Sequence, residues 1–460
     1  MEKRWQESLN AKQMRWKFIV LFLLTTCFPI RVYAAAMKDI PFYSKNIIIW
    51  NVEADTIVYE KNATVRTAPA SLTKLVTALV VLDHIETDQL TDTITITQEM
   101  LDGLASRSAT VNGLRVQDQV SVMDALKGML IASGADSSNA LASYLEKKTQ
   151  KSYLSLVNQK IEQLQLVDTK LKNAHGLDEA DQYTTAYDMA VIMKEFLQSP
   201  LLATIQSTYQ DQMQIQGRAS RTIPLRGTFL PMNHQSDIYQ QEVVLGKTGI
   251  TGDAGRCVSA YVQANGMSFI IVLMQAPIPL VSYHHAPNLD VKQLTPTLFQ
   301  NYKLIAIPNK QDFTQHRQLG KEKKDVSFVL DQDPVFLVQK DLIAEDLEVS
   351  IMMPDSIPLP ITEHDAVGFV QWSWQGEMVR SIDLVSVQTI DAPFLGRTLT
   401  LLETILGKYW MYVMLALLFY NSFLNYRNAK KKIVLNRKIA FKDYYTNSKK
   451  LKESKNKVTF

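Results

Sequence analysis

The chain has 460 residues, a length that predicts two or three compact units rather than one domain. Its composition is ordinary for a globular protein, with 46% hydrophobic and 21% charged residues. The net charge of +3 conceals an asymmetry, since residues 427–460 carry +10 and residues 1–36 carry +4, which leaves −11 for the middle. Because the basic residues are concentrated at the two ends, the folded middle is not expected to bind nucleic acid.

The first 36 residues have the pattern of a secretory signal peptide. Basic residues precede the apolar run 18–24, and Val32-Tyr33-Ala34 fits a small-residue cleavage site. The apolar run is short and is followed by a proline and an arginine, which favours a cleaved signal over an uncleaved anchor. Cys257 is the only cysteine after this segment, so we expect neither an intrachain disulfide nor a cysteine metal cluster.

Residues 37–308 combine strand and helix signals. Strand signals occur near both ends of this segment, at residues 47–50, 56–59, 242–245, 257–264 and 269–274. Helix signals lie between them, at residues 72–82, at a capping box over Ser121–Asp124, and at residues 185–197. This order predicts an α+β domain in which one antiparallel sheet is covered by helices.

The charge and hydrophobic pattern of the sequence changes near Asn309. Scattered basic residues from Lys310 to Lys324 mark a linker or an exposed edge. Short apolar runs with proline and aspartate breaks follow, at residues 326–330, 348–352, 367–374 and 382–387. They predict a small all-β domain over residues 309–392, with residues 393–408 as a connector.

The segment Tyr409–Tyr426 is apolar, and aromatic residues crowd both of its ends. As a helix it would span roughly 27 Å at 1.5 Å per residue, enough for a bilayer core. Basic residues follow at once from Arg427, which predicts a cytoplasmic tail over residues 427–460 and an extracellular location for residues 37–408. The alternative is an amphipathic helix that lies on the outer membrane face. Either form makes membrane lipids a partner, and the tail is expected to anchor on anionic lipids.

The first candidate for chemistry is the pair Ser71 and Lys74. Their spacing puts them on one helix face, one turn apart, and Ser71 lies at a helix N-terminus, where free N–H groups stabilise negative charge. A serine hydroxyl needs a base to remove its proton, and a lysine can be that base if burial depresses its pKa. Taken alone, the pair is better explained as an N-cap serine and a surface lysine than as a catalytic pair.

The second candidate is Lys247-Thr248-Gly249, at the end of a predicted strand. The cation and the hydroxyl can hold a substrate carboxylate, and the glycine lets a bound chain approach the strand backbone. The third candidate is Ser133-Gly134-Ala135, at the end of the capped helix, where a serine can bond Lys74 and relay a proton to a leaving group. Alone, this third segment fits an ordinary helix–helix turn.

Taken in order, the three elements resemble the Ser-x-x-Lys, Ser-x-Asn and Lys-Thr-Gly motifs of penicillin-binding proteins and serine β-lactamases. They are most similar to the low-molecular-weight D-alanyl-D-alanine carboxypeptidase family in four segments: Pro69–Ala78, Asn173–Asp178, Tyr183–Ala190 and Met232–His234. The resemblance covers about residues 38–300, and more weakly the β domain to about residue 392. It implies a β-lactamase/transpeptidase-like fold.

The resemblance also implies roles for single residues. Ser71 is the expected acylated nucleophile, with Lys74 as its general base. Lys247 and Thr248 are expected to bind the terminal carboxylate of a peptide. The backbone N–H groups of Ser71 and Ile250 are expected to form the oxyanion hole, which needs only main chain and so tolerates an isoleucine.

One position departs from the family pattern. The second motif places Ser133 where the family has its serine, but Ala135 stands where the family has asparagine. The side-chain amide expected to contact Lys74 or the substrate is therefore missing. Asn139, one helical turn further on, is a candidate to replace it, and Ser137-Ser138-Asn139 spells the motif four residues late.

The expected reaction is removal of the terminal D-alanine from peptidoglycan pentapeptide stems outside a bacterial cell, without cofactor or metal, and β-lactams are expected to trap Ser71. Three alternatives remain open. A β-lactamase would need a deacylating carboxylate between Ser133 and Lys247, and no such segment is found. A DD-endopeptidase or transpeptidase would use the same residues on cross-linked stems. A non-catalytic wall-binding protein is supported only by Ala135.

Overall fold

A computed structural model describes residues 40–217, 219–278, 286–307, 310–320, 323–391, 417–424 and 427. The predicted signal peptide, the connector and the basic tail after Arg427 lie outside the described residues, as does most of the predicted membrane segment. Residues 417–424 are helical. No helix in the described ranges is both long and apolar enough to cross a bilayer. The membrane helix and the topology built on it stay predictions.

The described residues fall into two compact units. The first contains the described parts of residues 1–312, 332–352 and 370–382, and the second those of residues 313–331, 353–369 and 383–460. The predicted boundary between a catalytic domain ending at 308 and a β domain beginning at 309 stays a prediction.

A five-stranded antiparallel sheet forms the centre of the first unit. Its strands are β1 (Asn46–Asn51), β2 (Thr56–Lys61), β7 (Val243–Thr251), β8 (Gly255–Ala264) and β9 (Met267–Ala276). Their spatial order is β2-β1-β9-β8-β7, so β7 is an edge strand. The five strand signals read from the sequence are thereby confirmed, and the first and last parts of the domain meet where β1 pairs with β9.

A smaller antiparallel sheet of four strands lies in the same unit. It consists of β3 (Thr93–Thr95), β4 (Asp118–Ser121), β5 (Gln210–Gly217) and β6 (Arg221–Arg226), in that order. The sequence signals did not include these strands, because they are short and carry many polar residues.

Eight α-helices are described in this unit: α1 (Thr73–Asp83), α2 (Gln98–Leu101), α3 (Val122–Leu130), α4 (Ala135–Thr149), α5 (Tyr153–Gln163), α6 (Ala186–Phe196), α7 (Pro200–Ser207) and α8 (Ala286–Asn301). Local sequence sets where several of them begin. The Ser121 hydroxyl accepts from the Asp124 N–H at the start of α3, as the capping box predicts, and Thr185 caps α6 in the same way.

Two apolar cores lie on the two faces of the central sheet. On one face, a large cluster joins Ile48 and Val272 to residues of α1, α3 and α6, such as Leu75 and Leu126. On the other face, Ile271 packs with residues of α8. Because α1 is buried almost throughout, its first turn is held rigidly beneath the sheet edge. The predicted antiparallel sheet covered by helices is confirmed.

The remaining strands are β10 (Tyr302–Ala306), β11 (Gln315–Leu319), β12 (Lys324–Leu330), β13 (Val335–Gln339), β14 (Glu348–Met352), β15 (Ala366–Trp374) and β16 (Glu377–Ser386). In the first unit, β10 pairs with β13. In the second unit, β12 pairs with β11 and with residues 384–386. The four apolar runs after residue 325 are found in strands, except that Val387 lies one residue beyond the end of β16.

Candidate active site

Ser71 lies in a single 3₁₀ turn, Ala70–Leu72, that runs directly into α1. Lys74 follows one turn later, and its Nζ donates to Ser71 Oγ at 2.9 Å. Only 2% of Lys74 is exposed, although lysine is rarely buried without a partner. The structure therefore brings the two residues of the first motif into direct contact.

The surroundings of Lys74 favour an uncharged amine. Burial lowers its pKa well below the usual value, the nearby charge of Lys247 lowers it further, and Asp136 acts in the opposite direction. A second hydrogen bond, to the carbonyl oxygen of His175 at 2.6 Å, fixes the amine beside Ser71. A neutral amine held next to a hydroxyl has the geometry of a general base.

The loop from Asn173 to Asp178 closes one side of this pair. Gly176 has φ +84°, and a Cβ there would lie 1.8 Å from the carbonyl oxygen of Ala70, so only glycine lets the loop approach the turn that contains Ser71. The Asn173 side chain accepts from the Gly176 N–H at 2.6 Å and shapes the turn. Burial, followed by the charges of Lys74 and Arg107, lowers the pKa of His175 to about 3, so this ring stays neutral.

Lys247 reaches the site from the edge strand β7. Its Nζ donates to Ser133 Oγ at 2.8 Å and to the carbonyl oxygen of Thr248 at 2.9 Å. Lys247 is 1% exposed, and burial lowers its pKa to about 7. The sequence had paired Ser133 with Lys74, but the hydrogen bonds of Lys74 go to Ser71 and His175 instead.

Gly249 lies where β7 passes Ser71. A Cβ at this position would be 2.9 Å from the Cβ of Ala70 and 3.0 Å from the backbone nitrogen of Ser71. The strand and the start of α1 are thus as close as a glycine allows. The next residue, Ile250, leaves 47% of its surface exposed, so its side chain is not part of a core. The expected oxyanion donors, Ser71 and Ile250, therefore lie on two backbones in close approach.

The second motif forms the turn between α3 and α4. Ser133 has φ +61°, a backbone conformation that residues other than glycine rarely adopt. This turn directs its hydroxyl to Lys247. Asn139 donates instead to the carbonyl oxygen of Met100 at 2.9 Å and is absent from the cavity lining. The Asn139 side chain therefore does not take the place of the amide that is missing at position 135. Ala135 itself lines the cavity.

Sequence reasoning missed the supporting role of Asp136. Its buried carboxylate accepts from three consecutive backbone N–H groups, those of Asn112, Gly113 and Leu114, at 2.9–3.1 Å. This holds the preceding loop against the second motif. An acidic residue directly after a Ser-Gly-Ala turn was the only available signal, and it is indistinguishable from an ordinary acidic residue in the first turn of a helix.

The three motifs line one cavity of about 250 Å³. Its walls include Ser71, Lys74, Ser133, His175, Thr248 and Arg256. Thr248 shares a hydrogen bond with the hydroxyl of Thr228, so the outer end of the cavity carries two hydroxyl groups. The described residues contain no cluster of three or more His, Cys, Asp or Glu side chains arranged for a metal ion.

Comparison with known proteins agrees with this geometry. The D-alanyl-D-alanine carboxypeptidase DacF of Bacillus subtilis is 26% identical over 345 residues, 74% of this chain and 84% of that protein. DacC of Escherichia coli is 25% identical, over 76% of this chain and 85% of that protein. The crystal structure of penicillin binding protein 5 from Haemophilus influenzae, at 21% identity, shares the fold with a TM-score of 0.63, covering 77% of this chain and 99% of that one. The family model described as D-alanyl-D-alanine carboxypeptidase matches residues 33–278, more than half of the sequence, and the chain therefore belongs to the serine-type D-alanyl-D-alanine carboxypeptidase family.

Proposed function

We propose that Ser71 is the nucleophile with which this carboxypeptidase removes the terminal D-alanine from peptidoglycan pentapeptide stems. The observation that carries the proposal is the 2.9 Å contact between Ser71 Oγ and the buried Lys74 Nζ. Lys74 removes the hydroxyl proton as Ser71 Oγ attacks the carbonyl carbon of the penultimate D-alanine. Burial supports this role because it keeps the Lys74 amine able to accept that proton.

The negative charge that develops on the attacked oxygen needs donors in place beforehand. We assign this task to the backbone N–H groups of Ser71 and Ile250, on the two backbones that approach at Gly249. The carbon–nitrogen bond then breaks, and the leaving D-alanine amine takes up a proton. Ser133 and Lys247, joined at 2.8 Å, are the proposed path for that proton.

Before deacylation, Lys74 releases to solvent the proton that it took from Ser71, and Lys247 regains its own proton from solvent. Water then attacks the ester on Ser71 while the neutral Lys74 amine accepts a proton from that water, and the proton passes to Ser71 Oγ as the shortened stem leaves. Lys247 and Thr248 are the proposed contacts for the substrate carboxylate. β-Lactams carry a reactive amide and a carboxylate of similar layout, so we expect them to acylate the same serine. No step of this scheme uses a cofactor or a metal ion.

The location of the enzyme is also a proposal. A signal peptide over residues 1–36 would export the chain, and an apolar segment over residues 409–426 would hold it at the outer face of the membrane. We propose that residues 37–308 form the catalytic domain and residues 309–392 a separate β domain. The cell-wall substrate is consistent with this arrangement.

The direct test uses the full chain with a labelled penicillin and with a synthetic pentapeptide that ends in D-alanyl-D-alanine. We expect a single covalent penicillin adduct on the peptide that contains Ser71, found by mass spectrometry, and release of one D-alanine per pentapeptide. Ser71→Ala should abolish both, whereas Ser106→Ala, on the exposed neighbouring loop, should change neither. Rapid turnover of penicillin, or an adduct elsewhere, would overturn the proposal.

A further inference from the structure

The catalytic cavity lies between two walls. One wall is formed by residues 248–251 of the edge strand β7, and the other by residues 108–110 together with Ser133 and Ala135. The hydrogen bond from Lys247 to Ser133 joins the two walls at one end. The second wall therefore lies alongside β7, with the cavity between them.

Other contacts join the walls at the far end of β7. Arg107, directly before the second wall, forms an ion pair with Glu179 at 2.7 Å and donates to the backbone carbonyl oxygen of Asp178. The Asp178 carboxylate in turn accepts from the N–H of Asp253 at 3.1 Å, in the turn that follows β7. Because contacts join the walls at both ends, a substrate peptide in the cavity has one edge on β7 and the other on the second wall.

A peptide added to an edge strand presents hydrogen-bonding groups on both of its own edges. In an extended chain, the carbonyl groups of successive residues point to opposite edges. In the proposed reaction, the carbonyl of the penultimate D-alanine points to the backbone N–H of Ile250 on β7. The carbonyl of the preceding stem residue therefore points away from β7, to the second wall.

Few groups of the second wall are free to donate to that carbonyl. The N–H groups of Ser108, Ala109 and Ala135 already donate to backbone carbonyl oxygens within the protein, and the side chain at position 135 has no donor. Thr110 is exposed and lines the cavity. Its hydroxyl has no hydrogen-bond partner among the residues that the structure describes. Thr110 therefore offers a donor that the folded chain does not use.

The backbone around Thr110 is fixed before any substrate binds. The carbonyl oxygen of Thr110 accepts from the N–H of Ala135 at 2.8 Å. Two residues later, the buried carboxylate of Asp136 accepts from the N–H of Asn112 at 2.9 Å. A donor on a backbone held in this way costs little ordering entropy when it binds a ligand.

We propose that the Thr110 hydroxyl donates a hydrogen bond to the carbonyl group that precedes the penultimate D-alanine of the stem. Thr110 is then a specificity residue that favours an acylated D-alanyl-D-alanine end over the free dipeptide, which lacks this carbonyl. The inference rests on the proposed function of the cavity. A carbonyl that is buried on binding without a donor loses its bond to water, so the contact should contribute to kcat/KM.

The test compares two pentapeptides that differ in one atom, the oxygen of this carbonyl or a sulfur in its place. A thioamide sulfur accepts hydrogen bonds more weakly, so we expect the wild-type enzyme to prefer the oxygen peptide in kcat/KM. Thr110→Val should lower kcat/KM for the oxygen peptide about 5- to 100-fold, the range for an acceptor left without its donor, and remove most of the preference. Thr110→Ser should keep both. Thr95→Val, at an exposed position on β3, is the matched control and should change neither.

The preference between the two peptides separates substrate binding from a structural role. A Thr110→Val enzyme that loses activity equally on both peptides, or that keeps the wild-type preference, would overturn the inference. So would loss of the preference in Ser108→Ala while Thr110→Val retains it, since the contact would then belong to Ser108. An absent penicillin adduct on Ser71 in the wild-type enzyme would instead overturn the proposed function itself.

Discussion

The side-chain amine of Lys247 donates a hydrogen bond to the hydroxyl of Ser133 across 2.8 Å. The site therefore contains two lysine–serine pairs, the other being Lys74 with Ser71. The pairs are electrostatically linked, because the charge of Lys247 contributes to the lowered pKa of Lys74. They are not linked by a hydrogen bond of Lys74 to Ser133, so each pair can be altered while the other keeps its geometry.

Replacing Ser133 tests the second pair. Ser133→Ala removes the acceptor for Lys247 and the proposed proton path to the leaving amine, but leaves the contact between Lys74 and Ser71 in place. We expect kcat to fall about 100- to 10,000-fold, the usual contribution of a positioned acid–base group. Steady-state release of D-alanine measures it. Ser138→Ala, on the following helix α4, is the matched control, since its hydroxyl bonds the carbonyl oxygen of Gly134 outside the reaction path. Equal losses in the two variants would contradict the assignment.

Asn139 provides the complementary test. Its amide is bonded to the carbonyl oxygen of Met100 and not to any group of the cavity. Asn139→Ala should therefore leave kcat/KM and penicillin acylation within about twofold of wild type. The free energy of unfolding should fall by about 1 kcal/mol, the net value of one such hydrogen bond. A large loss of activity at unchanged stability would show that the amide reaches the substrate after all.

The sequence was most informative where function depends on local spacing. Ser71 and Lys74 are one helical turn apart, so their contact follows from the helix alone. The sheet could also be predicted, because the short apolar runs of β1, β8 and β9 are strong signals. The edge position of β7 could not, since strand order depends on pairing between residues about 200 positions apart.

The partners of the buried polar groups were not predictable for the same reason. Lys74 donates to the backbone carbonyl oxygen of His175, 101 residues away. Because every residue has a backbone carbonyl, the sequence does not indicate which residue provides this contact. Ser133 has Lys247 as its partner because a left-handed backbone conformation turns its hydroxyl, and serine has no strong preference for that conformation. Long-range contacts and unusual backbone angles are properties of the folded chain.

Gly249 is the position at which a single methyl group should disturb the proposed oxyanion hole. In Gly249→Ala, the new Cβ would lie 2.9 Å from Ala70 and 3.0 Å from the backbone nitrogen of Ser71, so β7 must move outward. We expect kcat to fall about 100-fold or more, as on losing one oxyanion donor, while KM changes less. Gly252→Ala on the same hairpin has space for its methyl group and should retain activity. A wild-type kcat in Gly249→Ala would show that catalysis tolerates a larger separation between β7 and the backbone of Ser71.

Stability between pH 7 and 9 reports the buried amine of Lys247. In the folded chain its pKa is about 7, whereas in the unfolded chain it is near the ordinary value of 10.5. Within this window the unfolded state therefore binds about one more proton at this residue, so the free energy of unfolding rises with pH, by up to about 1.4 kcal/mol per pH unit. Below the folded pKa both states are protonated and the contribution to the slope disappears. Lys74 adds to the slope in the same direction, because burial, the larger cause of its lowered pKa, persists in any Lys247 variant.

Lys247→Met should reduce that slope by about one proton, whatever its effect on absolute stability. Denaturant unfolding at pH 7, 8 and 9 measures the slope directly, provided that the dependence on denaturant concentration is the same at each pH. The exposed Lys151 provides the control, because Lys151→Met removes a lysine that is in water in both states. Burial is the cause of the lowered pKa of Lys247, so only removal of the buried amine should reduce the dependence of the free energy of unfolding on pH. Parallel curves for Lys247→Met and wild type would mean that Lys247 stays protonated in the folded chain up to pH 9.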